Sequence, residues 1–199
     1  MTRQWWVLTL LLLGAAVLGL GGGLWMQQRS NQVVDPYAGL GGDFTLAAGT
    51  GPVSLADYRD QVVMLFFGYT QCPDVCPTDL ARMGAVLDGL TTEESAQVVG
   101  LFVSVDAERD TPRKVSDYAA FFHQRIVGVT GSADEIAAVA KKYYVLYQQV
   151  EGDNTALGYT IDHSASTYLI GRDGKVKGLV QHSISVGEMI KAVRAVLAS

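Results

Sequence analysis

The sequence predicts an α/β domain, a central sheet with helices packed on both faces. Three observations carry this. Two runs, Val62–Tyr69 and Val98–Val105, are apolar at nearly every position, so they are hidden on both faces as strands inside a parallel sheet are. Helix-start signals follow them, at Pro77, at Thr111-Pro112 and at Ser132. Near the end, Thr167–Ile170 and Val176–Val180 flank the tight turn Arg172-Asp173-Gly174-Lys175, and an amphipathic helix closes the chain.

The chain has 199 residues, 49% of them hydrophobic and 18% charged, with a net charge of −5. Residues 43–199 suffice for one domain with a buried core. The charge is mildly acidic and forms no basic block, which argues against nucleic acid as a partner. The two cysteines are too few for a disulfide-stapled scaffold. A pair this close in sequence points to reactivity or metal binding.

Residues 1–28 read as a membrane anchor. Trp5 to Met26 carries no charged side chain over 22 residues. As a helix it would span about 33 Å, against ~30 Å of bilayer hydrocarbon. Trp5, Trp6 and Trp25 stand at its ends, as interfacial aromatics do. The competing reading is a cleaved signal peptide, whose apolar core would be only ~7–15 residues with a small-x-small cleavage site. No cysteine follows the segment, which excludes a lipoprotein anchor. A single N-terminal span leaves the domain outside the cytoplasm, on the periplasmic side in a bacterium. Residues 29–42 read as a linker.

Within the domain, Asp43–Leu46 alternates like a short strand. Ala47–Pro52 is a glycine-containing turn, Val53–Leu55 begins a second short strand, and Ser54–Tyr58 has the makings of a helical turn. The strand Val62–Tyr69 leads into a turn at Cys72 and a helix over Pro77–Leu90, with Pro77 near the first turn where its missing N–H costs least. Val98–Val105 is the second buried strand, followed by a polar loop, Asp106–Asp110. Thr111 caps a helix through Phe122 with Pro112 at its first position. Ile126–Val129 is a short strand. Ser132 and Glu135 form a capping box for a helix through Tyr144. Val145–Val150 is extended and Asn154–Asp162 reads as a loop. The closing hairpin precedes a helix over Val186–Ala198 with Val186, Ile190, Val193 and Leu197 on one face. A thiol pair at the end of the first strong strand, together with a closing hairpin and helix, points to a thioredoxin-like fold.

Cys72 and Cys76 are the only cysteines and stand at i and i+4. In a helical turn their α-carbons would lie about 6 Å apart. That falls inside the ~4.4–6.8 Å window for a disulfide, and it lets both sulfurs reach one metal at ~2.3 Å. A nearby helix N-terminus favours thiolate. The spacing permits redox chemistry and metal binding without choosing between them. Of the three histidines, His123 ends a helix and reads as a surface or helix-terminus residue, and His182 reads as a cap or a frayed end. His163 precedes the Thr167 strand in a loop that this topology brings toward the cysteines, and Asp162 beside it could orient its ring or simply be solvated. Two thiolates and an imidazole suit Cu(I) and Cu(II), and zinc accepts the same donors.

Three stretches together resemble the Sco/SenC family of copper-binding thioredoxin-fold proteins. They are Phe67-Gly68-Tyr69-Thr70-Gln71-Cys72-Pro73-Asp74-Val75-Cys76-Pro77, the segment Ser104–Pro112, and Asp162–Ile170. The resemblance implies that Cys72, Cys76 and His163 bind copper. It also implies a membrane-anchored copper chaperone that delivers copper to, or prepares, the dinuclear copper centre of cytochrome c oxidase. The implied partner is the copper-bearing subunit or another copper carrier. Asp162 and the Asp106–Asp110 loop would support the site or a partner surface. Thioredoxin-type oxidoreductases space their cysteines by two residues and face them with a cis-proline. Here the spacer is three, and none of the five prolines lies near His163. A thiol–disulfide reductase acting on partner cysteines is the alternative, with Cys72 and Cys76 as the redox pair, and a thiolate redox sensor is a third reading.

Overall fold

A computed structural model describes residues 35–151 and 158–199. Its centre is a five-stranded sheet in the order β5-β4-β3-β8-β9. Strands β3 (Val62–Gly68), β4 (Val98–Ser104) and β5 (Ile126–Val129) run parallel, while β8 (Thr167–Ile170) and β9 (Val176–Val180) are antiparallel. Every residue of β3 and β4 is buried, as their unbroken apolar runs require. Phe66 and Phe102 are paired across the β3–β4 ladder and stack at 6.2 Å on one face, where Phe102 also meets Tyr118. On the other face Phe67 meets Tyr143, which in turn meets Tyr168 at 5.4 Å. Strand order and thiol turn are those of the thioredoxin-like fold the sequence predicts.

The helices are α1 (Val75–Gly89), α2 (Thr92–Ser95), α3 (Pro112–Phe122), α4 (Ala133–Lys142) and α5 (Val186–Leu197). Helix α1 packs against α5 and α3. Thr111 caps α3, and capping boxes start α4 and α5 at Ser132 and Ser185. Strands β1 (Thr45–Ala48) and β2 (Gly51–Ser54) form a hairpin ahead of a 3₁₀ turn, Leu55–Tyr58. The end of the stretch read as linker is docked on the domain: Gly41 N–H donates to the Lys142 carbonyl at 2.7 Å, and Tyr143 Oη donates to that of Gly42 at 3.0 Å.

Two expectations need correction, and two features go beyond them. Helix α1 begins at Val75, not Pro77, so Cys76 lies within its first turn. Pro77 fits there because the first helical N–H groups have no intrahelical acceptor. Helix α2 was not expected, although Thr91 and Glu94 form its capping box. The stretch read as a loop up to Asp162 contains strand β7 (Tyr159–His163), paired antiparallel with β6 (Tyr147–Glu151). The alternation of Tyr159, Ile161 and His163 is that of a half-buried strand, and its partner lies in a separate extended run. The Asp106–Asp110 loop is polar, yet both aspartates are only 3% exposed. Among the described residues no helix is long and apolar enough to cross a membrane, and the apolar segment Trp5–Met26 lies outside the described residues.

Candidate metal centre

Strand β3 ends at Gly68, and the chain turns through Tyr69–Asp74 into α1. Cys72 lies on that turn, half-buried, and Cys76 lies fully buried in the first helical turn. Gly68 is needed for this approach. A Cβ there would stand 2.6 Å from Cys76 Sγ. The Cys76 N–H donates to Cys72 Sγ at 3.4 Å. His163 arrives as the last residue of β7, not from a loop, and its Nε2 lies 3.2 Å from Cys76 Sγ. The sulfurs of Cys72 and Cys76 and a nitrogen of His163 all lie within 4.8 Å of one another. The structure thus brings together all three residues singled out in the sequence, and both cysteines are free thiols.

The imidazole orientation follows from its neighbours. Nδ1 lies 3.1 Å from the Ser164 carbonyl, which can only accept, so Nδ1 donates there and Nε2 is the nitrogen turned toward the sulfurs. The Phe66 and Tyr69 rings meet the imidazole edge-on at 6.0 and 5.9 Å. Asp162 is exposed, and the bond to Nδ1 comes from Ser164 instead.

The two thiols differ sharply. The hydrogen bond from Cys76, with further help from His163 and the backbone N–H groups of Asp74 and Cys76, outweighs burial and lowers the Cys72 thiol to about 3. Cys76 is pushed up, first because it donates to Cys72 and then by burial and the Cys72 charge. The metal-free pair is therefore one thiolate and one thiol sharing a proton. A groove of about 300 Å³ lined by Tyr69, Cys72, Pro73, Ile161 and His163 opens beside them.

Residues 34–198 match the SCO1/SenC family. The chain belongs to that family. It is 36% identical to the mitochondrial SCO2 homologue of Bos taurus, over 94% of this chain and 75% of that protein. Its fold superimposes with a TM-score of 0.74 on Arabidopsis thaliana ScoI solved with copper bound, at 32% identity over 80% of this chain and 98% of that one. It also resembles BsSco, whose structure identified a disulfide switch and which is described as one of the Sco family of cytochrome c oxidase assembly proteins. There the TM-score is 0.60 and the identity 27%, over 79% of this chain and 92% of that one.

In this SCO1/SenC chain the cysteine turn is anchored from below by Asp110. Its carboxylate accepts from the Thr70 N–H at 2.8 Å, Thr70 Oγ1 at 2.5 Å, Ser104 Oγ at 2.6 Å and Lys114 Nζ at 2.9 Å. Burial alone would raise that carboxyl, but the four donors outweigh it and hold it below the ordinary carboxylate range. Composition marks the loop only as polar; the four donors come from Thr70, Ser104 and Lys114 on three separate elements. His182 was read as a cap or a frayed end. Its Nδ1 instead lies at hydrogen-bond distance, 2.8 Å, from Oδ2 of the buried Asp79 of α1, which ties the β9–α5 connection to the cysteine helix. His123 ends α3 as expected, with Nδ1 accepting from the Arg125 N–H at 3.0 Å.

Proposed function

We propose that this chain binds copper through Cys72, Cys76 and His163 and serves as a membrane-anchored copper chaperone in cytochrome c oxidase assembly. It would deliver copper to, or prepare, the dinuclear copper centre of that enzyme. The observation that carries the reading is the convergence of two sulfurs and an imidazole nitrogen within 4.8 Å. The donor set fits the ion. Soft sulfur suits Cu(I), and the imidazole suits either oxidation state. Relatives solved with copper bound favour copper over zinc.

Copper is cargo here, and the chain's own residues do the handling. The Cys72 thiolate faces the groove and is the donor an incoming or departing carrier reaches first. Buried Cys76 gives up its proton when metal binds, so loading releases protons and weakens with acid. His163 Nε2, turned toward the sulfurs by the Nδ1 contact to Ser164, completes the set. Transfer then proceeds by exchange of thiolates and imidazole for the ligands of the partner, the copper-bearing subunit or another carrier. The segment 1–28 tethers the domain outside the cytoplasm through the linker that follows it.

The same thiol asymmetry supports a second reading, thiol–disulfide reduction. The Cys72 thiolate attacks a partner disulfide and expels one partner thiolate. Cys76 then attacks Cys72 Sγ and expels the second, so that two electrons pass to the partner and a Cys72–Cys76 disulfide remains. Metal analysis of the reduced full chain and of His163→Ala separates the two. Copper near one equivalent in the parent and mostly lost in the variant, with disulfide exchange retained, supports the chaperone. Equal copper in both overturns His163 as a ligand.

A further inference from the structure

The imidazole reaches the cysteines on a part of the fold that the main sheet does not hold. Strands β6 and β7 form their own two-stranded sheet, and among the described residues no ladder joins it to the five-stranded one. A two-stranded ribbon is marginal in water. Four of the five β6 residues are exposed. The position of His163 against the thiols therefore depends on what fastens β7.

Two fastenings are built into the strand. At its middle, the Ile161 N–H donates to Tyr69 Oη at 3.2 Å, just ahead of the cysteine turn. At its start, Tyr159 is gripped from three sides. Its carbonyl accepts from Arg109 Nη1 at 2.8 Å, its ring lies under the Arg109 guanidinium at 3.5 Å, and its hydroxyl donates to Asp106 Oδ1 at 2.8 Å. Asp106 closes the ring by accepting from Arg109 Nε at 2.5 Å, and it is buried at the end of β4. A guanidinium that stacks on one group while forking to two others makes contacts that a lysine cannot reproduce. Tyr159 and His163 are the two ends of β7, about 13 Å apart as an extended strand runs.

We propose that Arg109 and Tyr159 are positioning residues that clasp the β6–β7 hairpin to the sheet and so set how firmly His163 is presented to Cys72 and Cys76. Opening the clasp releases the imidazole end of the hairpin while leaving both thiols in place, which turns a three-donor site into a two-sulfur one. This rests on the copper reading for its consequence, though not for the clasp itself.

The test is hydrogen–deuterium exchange on the metal-free full chain, read by mass spectrometry, with Cu(I) loss to a competing chelator measured in parallel. In Arg109→Gln the segment Tyr159–His163 should exchange about tenfold faster while β3 and β4 stay as in the parent, and copper should leave about tenfold faster. Tyr159→Phe removes one oxygen and should move both in the same direction by less, which keeps the test intact if Arg109→Gln fails to fold. On the Cu(II) form, nitrogen coupling from the imidazole should weaken in both variants, a signature that loss of general stability does not produce. Exchange at Tyr159–His163 unchanged in Tyr159→Phe, or rising equally through β3 and β4, overturns the clasp. Faster hairpin exchange in the two variants, together with a parent that holds no copper, supports the clasp and overturns the copper reading.

Discussion

Replacing Asp110 by Asn tests how the fold supports the cysteine turn. The Asp110 side chain is 0% exposed and accepts four hydrogen bonds. Oδ2 serves the Thr70 N–H and Ser104 Oγ, and Oδ1 serves Thr70 Oγ1 and Lys114 Nζ. An amide keeps one acceptor and puts a donor where the other stood. Its least costly orientation leaves the oxygen at the Thr70 N–H, lets the Thr70 hydroxyl turn to accept, and sends the half-exposed Lys114 to solvent. Hydrogen bonds to a charged group contribute about 1.5–3 kcal/mol each and are only partly lost, so the net loss is about 3 kcal/mol. For a domain of this size that lowers Tm by about 6–12 °C. The pH dependence follows from the same contacts. The folded carboxyl titrates below its unfolded value. Its contribution is therefore full above the unfolded value of about 4 and disappears as pH falls through the folded one. Thermal unfolding of the metal-free reduced chain, followed by circular dichroism from pH 7 to pH 3, should show the gap between parent and variant narrowing with acid. A Tm drop under about 2 °C, or a gap that does not narrow, refutes the reasoning.

The thiol asymmetry predicts that iodoacetamide modifies Cys72 in the metal-free reduced chain at a rate nearly constant from pH 5 to pH 8, because a thiol lowered to about 3 is ionised throughout that range. Peptide mapping should find Cys76 unmodified until the fold opens, since it is fully buried. Gly68→Ala should push against Cys76 Sγ at 2.6 Å, cost about 1–3 kcal/mol in urea unfolding and weaken copper retention, whereas Gly187→Ala, where a Cβ meets nothing within 4 Å, should leave copper unchanged. Stripping copper with a chelator should lower Tm reversibly in the parent and have little effect in His163→Ala.

The parts of the fold legible in the sequence are those with a local signature. Val62–Tyr69 and Val98–Val105 announce themselves because strands buried on both faces have no polar side to interrupt them. Thr111-Pro112 and Ser132 announce helices because the orphan N–H groups of a first turn select those residues. Strand β7 was missed because Tyr159–His163 is short and its partner β6 is mostly exposed, so no buried run marks the pair. The three proposed ligands are legible at two levels: the cysteines through their spacing and the turn, His163 through the resemblance of its surroundings. Their supports were not. Asp110 reads as one more polar loop residue until Thr70, Ser104 and Lys114 are seen to converge on it. Asp79 and His182 lie 103 residues apart, and nothing local links them. The Arg109–Tyr159 stack spans 50 residues and depends on where β7 lies.

The most direct measurement is X-ray absorption at the copper edge on the reduced full chain loaded with Cu(I), compared with His163→Ala. The account predicts one copper per chain with two sulfur donors and one imidazole nitrogen, and loss of the nitrogen alone in the variant. A sulfur-only or sulfur-free copper environment in the parent, or a chain that retains no copper when reduced, contradicts it.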